Sequence, residues 1–371
     1  MLLPYRRVIR PLLMRLDPED AHRLALRILS LCASTGWFDP RRAFSPTGLR
    51  VTVAGVEFPN VVGLAAGCDK DAAAAPLWAR FGFGFTEIGT VTAQRQGGNP
   101  RPRVFRFPQD QAIINRLGFN SQGSEAVAAR LTRLALRGWR RVHPIGINIG
   151  KQRSAGSDEE TVASYMEALR WLAPLADYVV VNVSSPNTVG LREWQARARL
   201  EQLLRPIRER LDDSVSDTAP RATPLFVKLS PDMDEFELGN ALEAAFACRV
   251  DGLIATNTTL SRAGLSCETS EEGGLSGQPL RERALAALRW LYRHSGGGMP
   301  LIGVGGIGTG ADAWERILAG ATLVQLYTAL VYQGPNLARS INRDLMRRMQ
   351  ESGVRHVSEV VGAEAGKTSK G

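Results

Sequence analysis

Residues 178–188 read Tyr-Val-Val-Val-Asn-Val-Ser-Ser-Pro-Asn-Thr, an apolar run that passes directly into hydroxyls and amides gathered about one proline. A strand wetted on one face alternates apolar with polar residues. One that is apolar at successive positions is covered on both faces, as in a parallel sheet flanked by crossover helices. The same pattern recurs at Val61–Ala66, Phe85–Thr90, Ile145–Ile149, Leu225–Leu229, Gly252–Thr256, Leu301–Val304 and Leu323–Tyr327, and with residues 178–183 these runs make eight. Between them, helical periodicity predicts helices over Thr161–Leu172, Leu200–Leu211, Glu235–Ala247, Arg281–Arg293 and Ala311–Leu318. Eight such units predict an α/β fold, the closed (β/α)8 TIM barrel.

The chain has 371 residues, 44% of them hydrophobic and 22% charged, enough for a large buried core. No apolar run is long enough to span a bilayer, and the N-terminus Met1-Leu-Leu-Pro-Tyr-Arg-Arg7 has no export-signal pattern, so an intracellular protein is expected. Four cysteines (Cys32, Cys68, Cys248 and Cys267) lack any CxxC spacing, which argues against zinc, iron-sulfur clusters and disulfides and leaves no metal in the reading. The net charge of +9 could suit nucleic acid, but the arginines are scattered singly and no aromatic residues interleave with them, so no nucleic-acid partner is expected. Nine arginines against four acids in the first 50 residues place over half of the excess in a short N-terminal part.

That part predicts two amphipathic helices. Tyr5–Met14 sets Val8, Ile9, Leu12 and Leu13 against Arg6, Arg7 and Arg10, with Pro11 bending or ending the segment. A second helix starts at Asp17-Pro18-Glu19-Asp20, with Asp17 as N-cap, and carries an apolar stripe of Ala21, Leu24, Ala25, Ile28, Leu29 and Cys32. Such helices either pack on the barrel's outside or lie in a membrane interface with arginines on anionic lipid. Residues 1–40 are read as this extension, 41–350 as the barrel and 351–371 as a polar, unstructured tail. Leu49–Phe58 alternates about Ala54-Gly55 and predicts a hairpin plugging the barrel's N-terminal end. Residues 94–115 form a long connection expected to cover a site.

TIM barrels carry their chemistry at the C-terminal strand ends. Here those ends bring Ala66-Gly-Cys-Asp-Lys70, Thr90, Asn148, Asn182, Ser184-Ser-Pro-Asn187, Lys228, Thr256-Asn-Thr258, Gly303-Val-Gly-Gly306 and Tyr327-Thr328. The set is rich in amides and hydroxyls and lacks the paired carboxylates of a glycosidase or the His and acid clusters of a metallohydrolase. Gly303-Val-Gly-Gly-Ile-Gly308 after the seventh strand and Tyr327-Thr328 after the eighth lie where barrels cradle a phosphate, which favours FMN. Lys228, costly to bury alone, suits the N1/O2 edge of a flavin, where a cation stabilises the reduced ring. Asn115, Asn182, Asn187 and Asn257 offer the donors and acceptors that a planar ring with imide groups needs.

Six strings then carry a resemblance. Gly63-Leu-Ala-Ala-Gly-Cys-Asp-Lys-Asp71, Gly98-Asn-Pro-Arg-Pro-Arg-Val-Phe-Arg106, Ile114-Asn-Arg-Leu-Gly-Phe-Asn120, Gly146-Ile-Asn-Ile-Gly-Lys151, Val181-Asn-Val-Ser-Ser-Pro-Asn-Thr188 and Gly273-Gly-Leu-Ser-Gly277 resemble dihydroorotate dehydrogenases of class 2, the quinone-linked, membrane-associated form. The resemblance covers roughly residues 15 to 350. It implies Ser185 as catalytic base, where class 1 members have cysteine. It implies one FMN per chain, bound by Ala66, Gly67, Cys68, Asp69, Lys70, Thr90, Asn148, Asn182, Lys228, Thr256, Gly277, Gly306, Tyr327 and Thr328. Substrate contacts correspond to Lys70, Asn115, Arg116, Leu117, Gly118, Phe119, Asn182, Asn187, Asn257 and Thr258. A quinone site corresponds to His22, Arg103 and Tyr327, beneath the N-terminal helices.

The implied reaction oxidises dihydroorotate to orotate in pyrimidine synthesis. Cys68 stands where relatives often have a larger apolar residue, and Thr328 replaces a common serine while keeping its hydroxyl. The expected setting is a monomer held peripherally on the cytoplasmic face of a bacterial inner membrane. A soluble class 1 enzyme would need cysteine at position 185 and no amphipathic extension. A non-redox phosphate-binding barrel, or a basic nucleic-acid module, would carry no flavin.

Overall fold

The computed structural model describes residues 5–34, 44–135, 143–215 and 221–366. The hairpin comes first: β1 (Val51–Val53) pairs antiparallel with β2 (Val56–Phe58) across Ala54 and Gly55, whose φ angles of 48° and 78° suit a two-residue turn. In chain order β3 (Val62–Leu64), β4 (Phe85–Val91), β5 (Val104–Phe107), β6 (Ala112–Asn115), β7 (Ile145–Gly150) and β8 (Tyr178–Asn182) follow. Then come β9 (Leu225–Leu229), β10 (Gly252–Ala255), β11 (Gly274–Gly277), β12 (Leu301–Val304) and β13 (Leu323–Leu326). The eight predicted runs are β3, β4, β7, β8, β9, β10, β12 and β13, and they close in that order into a parallel barrel.

Helices cover it. After α1 (Arg10–Leu13) and α2 (Pro18–Ser34) come α3 (Ser124–Leu134), α4 (Asp158–Leu172), α5 (Arg197–Asp212), α6 (Glu235–Ala247) and α7 (Arg281–His294). The chain continues with α8 (Gly310–Leu318), α9 (Thr328–Gln333) and α10 (Leu337–Glu351). The five predicted helices are α4 to α8. Reciprocal side-chain caps start three of them, Ser157 with Glu160, Asp234 with Glu237 and Thr309 with Asp312, satisfying orphan N–H groups of the first turn.

The lower half of the barrel is filled by rings. Phe58 of the hairpin meets Phe85 edge-on at 5.1 Å, and Tyr178 meets Phe226 at 5.3 Å. A Cβ on Gly63 would stand 2.2 Å from the Phe85 ring, one on Gly146 2.0 Å from Tyr178 and one on Gly252 2.3 Å from Phe226. The absence of side chains on three strands thus makes the room that three aromatic side chains occupy. The hairpin seals this end, so the polar strand ends open only at the other.

Three expectations change. The connection over residues 94–115 contains β5 and β6, which form an antiparallel sheet with β11 in the order β11-β6-β5 around a small core of Ala112, Ile114 and Leu275. The tail is packed rather than unstructured: Val357 and Ala365 are buried, and the N–H groups of Gly362 and Glu364 bond to Ile317 and Leu318 carbonyls. Residues 367–371 of that tail lie outside the described residues, as do residues 1–4 and 35–40 of the extension. The apolar residues of α2 divide between two sides, with Ala21 buried and Leu26 and Leu29 against the core, while Leu24, Ile28 and Leu31 are exposed.

Asp17 caps α2 as expected, accepting from the N–H groups of Glu19 and Asp20. The helix is then tied to the barrel by Glu19, whose carboxylate accepts two bonds from the buried Arg103, at 2.9 and 2.8 Å, and one from Arg101 at 3.0 Å. Hydrogen bonds from Arg103 hold the Glu19 carboxyl at about 2. Its contribution is complete above the ordinary carboxylate range and lost as pH falls towards 2. Glu19→Ala strands the Arg103 guanidinium and is expected to cost about 3 kcal/mol, read as a lower urea midpoint and faster proteolysis between α2 and β1.

Candidate active site

Alternate residues of a closed barrel face inward, and above the aromatic layer these are polar. Register pairs Gly150 with Asn182 and Asn182 with Lys228, which aligns their positions around the wall. At the centre stands Glu87, fully buried. Its Oε1 accepts from Asn148 Nδ2 at 2.8 Å and its Oε2 from Gln325 Nε2 at 2.6 Å, while the Lys228 ammonium lies 3.7 Å from Oε1. Lys228 therefore turns inward and is paired, not solitary. Glu87 and Gln325 are absent from the sequence-derived site, although a carboxylate inside the run Phe85-Thr-Glu-Ile was a signal of the same kind as Lys228.

The amides continue the network upward. Asn148 Oδ1 accepts from Thr90 Oγ1 at 2.6 Å and from Asn182 Nδ2 at 3.2 Å. Asn182 Oδ1 accepts in turn from Ser184 Oγ at 2.9 Å and Asn257 Nδ2 at 3.3 Å, and Asn257 also donates to Ser184 Oγ at 2.9 Å. Asn187 Nδ2 reaches the Asn115 carbonyl at 3.0 Å and so ties the loop after β8 to β6. The antiparallel sheet thus places Asn115 over the barrel mouth. Ser185 is 7% exposed, faces the same cavity, and accepts from the Asn187 N–H at 3.3 Å, a contact that restrains its oxygen without taking its proton.

One cavity of about 1050 Å³ joins these parts. Ala66, Gly67, Cys68, Asp69, Lys70, Thr90, Asn182, Lys228, Thr256, Gly277, Gly306, Tyr327 and Thr328 line it, as do Asn115, Leu117, Gly118, Phe119, Asn187, Asn257 and Thr258; Asn148 lies fully buried behind Thr90. The Asp69 carboxylate accepts from the Ala73 and Ala74 N–H groups and from Trp78, so it shapes the loop after β3. Burial pushes the Cys68 thiol up, which keeps it a protonated apolar filler. Desolvation lowers Lys70 to about 8, and its ammonium donates to Asn120 Oδ1 at 2.5 Å.

The glycine-rich turn after β12 has the backbone shape expected of it. Gly305 and Gly306 take φ of 113° and 71°, and a Cβ on Gly306 would lie 2.4 Å from the Arg281 backbone. Only glycine serves there, where the chain turns in the left-handed region close against Arg281, and Gly306 lines the cavity beside that turn. A ring with imide edges matches the lysine, hydroxyl and amide donors below it.

Beyond Tyr327 the cavity turns apolar beneath the N-terminal helices, lined by Leu13, Met14, Ala21, Ala25 and Leu29. His22 lines it, 6.2 Å from the Tyr327 ring, and desolvation lowers its imidazole to about 4. Two further predicted residues lie off the lining. Arg103 is outside the lining and spent on Glu19 and on the Gly97 and Asn99 carbonyls; Arg106, two residues beyond the proline-flanked Arg103-Val104 step, lines the cavity instead and donates to the Leu13 and Leu16 carbonyls. Arg116 points away, pairing with Glu271 at 2.7 Å over the Phe105 ring.

Comparison with known proteins agrees with this geometry. A family model described as dihydroorotate dehydrogenase matches residues 48–349. A dihydroorotate dehydrogenase (quinone) of Deinococcus deserti is 45% identical over 366 residues, 97% of this chain and 100% of the relative. One from Rhodospirillum rubrum is 47% identical over 360 residues, 96% of this chain and 94% of its own. A ligand-free DHODH crystal structure from Eimeria tenella superposes with a TM-score of 0.87 at 35% identity, covering 95% of this chain and all of that one, 100%. Sequence, barrel and strand-end chemistry agree that the chain belongs to the dihydroorotate dehydrogenase family.

Proposed function

We propose that this chain oxidises dihydroorotate to orotate with FMN, one per chain, and passes the electrons to a membrane quinone. The observation that carries this reading is the single cavity in which a glycine cradle, an amide rim with Ser185 and an apolar channel under α1 and α2 meet. The family is flavin-dependent, and the reaction belongs to pyrimidine synthesis. FMN held there would supply a hydride acceptor for C6 of the substrate and a carrier from which the quinone takes the electrons.

The chain's own residues do the rest. Gly305 and Gly306 receive the phosphate, while Lys228, Thr90 and Asn182 hold the ring edge. Asn115, Asn187 and Asn257 match the imide N–H and C=O groups of a pyrimidine, and the Lys70 ammonium attracts its carboxylate. Ser185 Oγ removes the C5 proton. A hydroxyl is a weak base, so its action depends on being held at the reacting carbon in a site shielded from bulk water.

The channel admits an apolar quinone between the helices and the barrel, with neutral His22 and cationic Arg106 as its polar contacts. Exposed Leu12, Leu24, Ile28 and Leu31 stand beside exposed Arg6, Arg7, Arg15 and Arg27, a pattern that suits peripheral binding to an anionic surface. No helix among the described residues is long and apolar enough to cross a membrane. The reading places a monomer on the cytoplasmic face of a bacterial inner membrane.

Dihydroorotate turnover with and without added quinone tests the whole; turnover equally fast with quinone absent and fumarate or NAD supplied instead contradicts it. Ser185→Ala is expected to keep FMN and lose turnover by at least about 100-fold at neutral pH, and near-normal rates in the yellow variant remove Ser185 from the role. The kcat/KM for dihydroorotate is expected to fall as pH rises through about 8, because Lys70 loses its proton there; Lys70→Met should flatten that limb. Deleting residues 1–40 should spare dye reduction but weaken quinone reduction and liposome binding, and liposome binding unchanged by the deletion refutes the membrane role.

A further inference from the structure

The buried carboxylate of Glu87 has no part in the chemistry above, yet Asn148, Gln325 and Lys228 converge on it from three strands. An ionised carboxylate only accepts hydrogen bonds. Asn148 must therefore turn its NH₂ group to Glu87 Oε1, at 2.8 Å, and its carbonyl towards Thr90 and Asn182. Asn182 in turn directs its own NH₂ to Asn148 and its carbonyl to Ser184 and Asn257. The direction of two amides is thus set from below by one acceptor. The same group stands 3.7 Å from the Lys228 ammonium, with both side chains buried and only the lysine reaching the cavity. It anchors that cation and cancels much of its charge.

We propose that Glu87 is a positioning residue that sets the redox potential of the flavin, holding Lys228 and the Asn148–Asn182 pair in their orientations while offsetting the lysine's positive charge. The inference rests on the proposed placement of FMN over Lys228. The reduced flavin ring carries negative charge that the oxidised ring lacks, so the net charge beneath it shifts the balance between the two. Loss of the Glu87 charge leaves Lys228 uncompensated and favours the reduced form. With Glu87 present the couple stays low enough for a quinone to draw its electrons off.

The test is the two-electron midpoint potential of the FMN-loaded full-length protein, measured by dye-coupled titration in the parent, Glu87→Gln, Lys228→Met and the double variant. Glu87→Gln is expected to bind reduced over oxidised flavin at least tenfold more tightly than the parent does, a rise of about 30 mV for a two-electron couple. Adding Glu87→Gln to Lys228→Met should raise the potential again, since it removes a carboxylate left without its partner. The double variant keeps the test open should the single one fold poorly. A Glu87→Gln protein that holds FMN at the parent's potential overturns the proposal. So do equal potentials in Lys228→Met and the double variant, and so does loss of FMN from every Glu87 variant, which would mark the residue as structural. A parent protein that takes up no FMN sinks the reading beneath it instead.

Discussion

Closing a parallel sheet on itself forces every second side chain into a space without water, and each polar group placed there must find its partner among the others. This requirement organises the molecule. Below, three rings fill the room left by Gly63, Gly146 and Gly252, and their one polar atom, the Tyr178 hydroxyl, is buried there without a hydrogen-bond partner among the described residues. Above, it is met by a chain of bonds that begins at Glu87, runs through Asn148, Thr90 and Asn182, and ends at Ser184 and Asn257 on the rim. Amides tied at both ends in this way have little freedom to reorient, so the rim is shaped before any ligand arrives. Preorganised dipoles are what a reaction that develops charge in a pyrimidine ring requires.

The outer parts add an apolar channel to this core. The antiparallel sheet of β5, β6 and β11 brings Asn115 to the mouth from one side, and the same sheet presents Arg106 to α1 from the other. The N-terminal helices are fastened by a different device, the bidentate pairing of Glu19 with Arg103. Desolvation around that pair is offset by the extra bonds that Arg103 donates to two carbonyls. Between helices and barrel the apolar channel continues the polar pocket without a wall, the shape that the proposed use of one cofactor by two substrates of opposite character requires.

Much of this was legible in the residues. Strands covered on both faces read as continuous apolar runs, so the barrel and its eight polar ends stood out, and the strings around Lys70, Asn115 and Ser185 are specific in combination. Three features escaped for physical reasons. β5 and β6 are four-residue strands, too short for alternation to show, so their stretch read as a loop. Glu87 is one carboxylate within a strand, and its importance comes from partners on β7, β9 and β13 that only barrel closure brings near. Arg103 and Arg106 share a string that names both arginines, but which one faces the channel depends on a strand's direction and on Glu19 waiting for the other. The tail shows the opposite error, since polar composition hid its small apolar anchors, Val354, Val357, Val360, Val361 and Ala365, which pack on the barrel.

The central claim is that one cavity couples a pyrimidine acid to a quinone through a flavin. The most direct measurement is the visible spectrum of the purified, FMN-loaded protein under anaerobic conditions, followed through sequential additions. The account predicts that dihydroorotate bleaches the yellow band and that a soluble quinone analogue then restores it. A band that dihydroorotate leaves unchanged, or one that bleaches but is not restored by quinone, contradicts it.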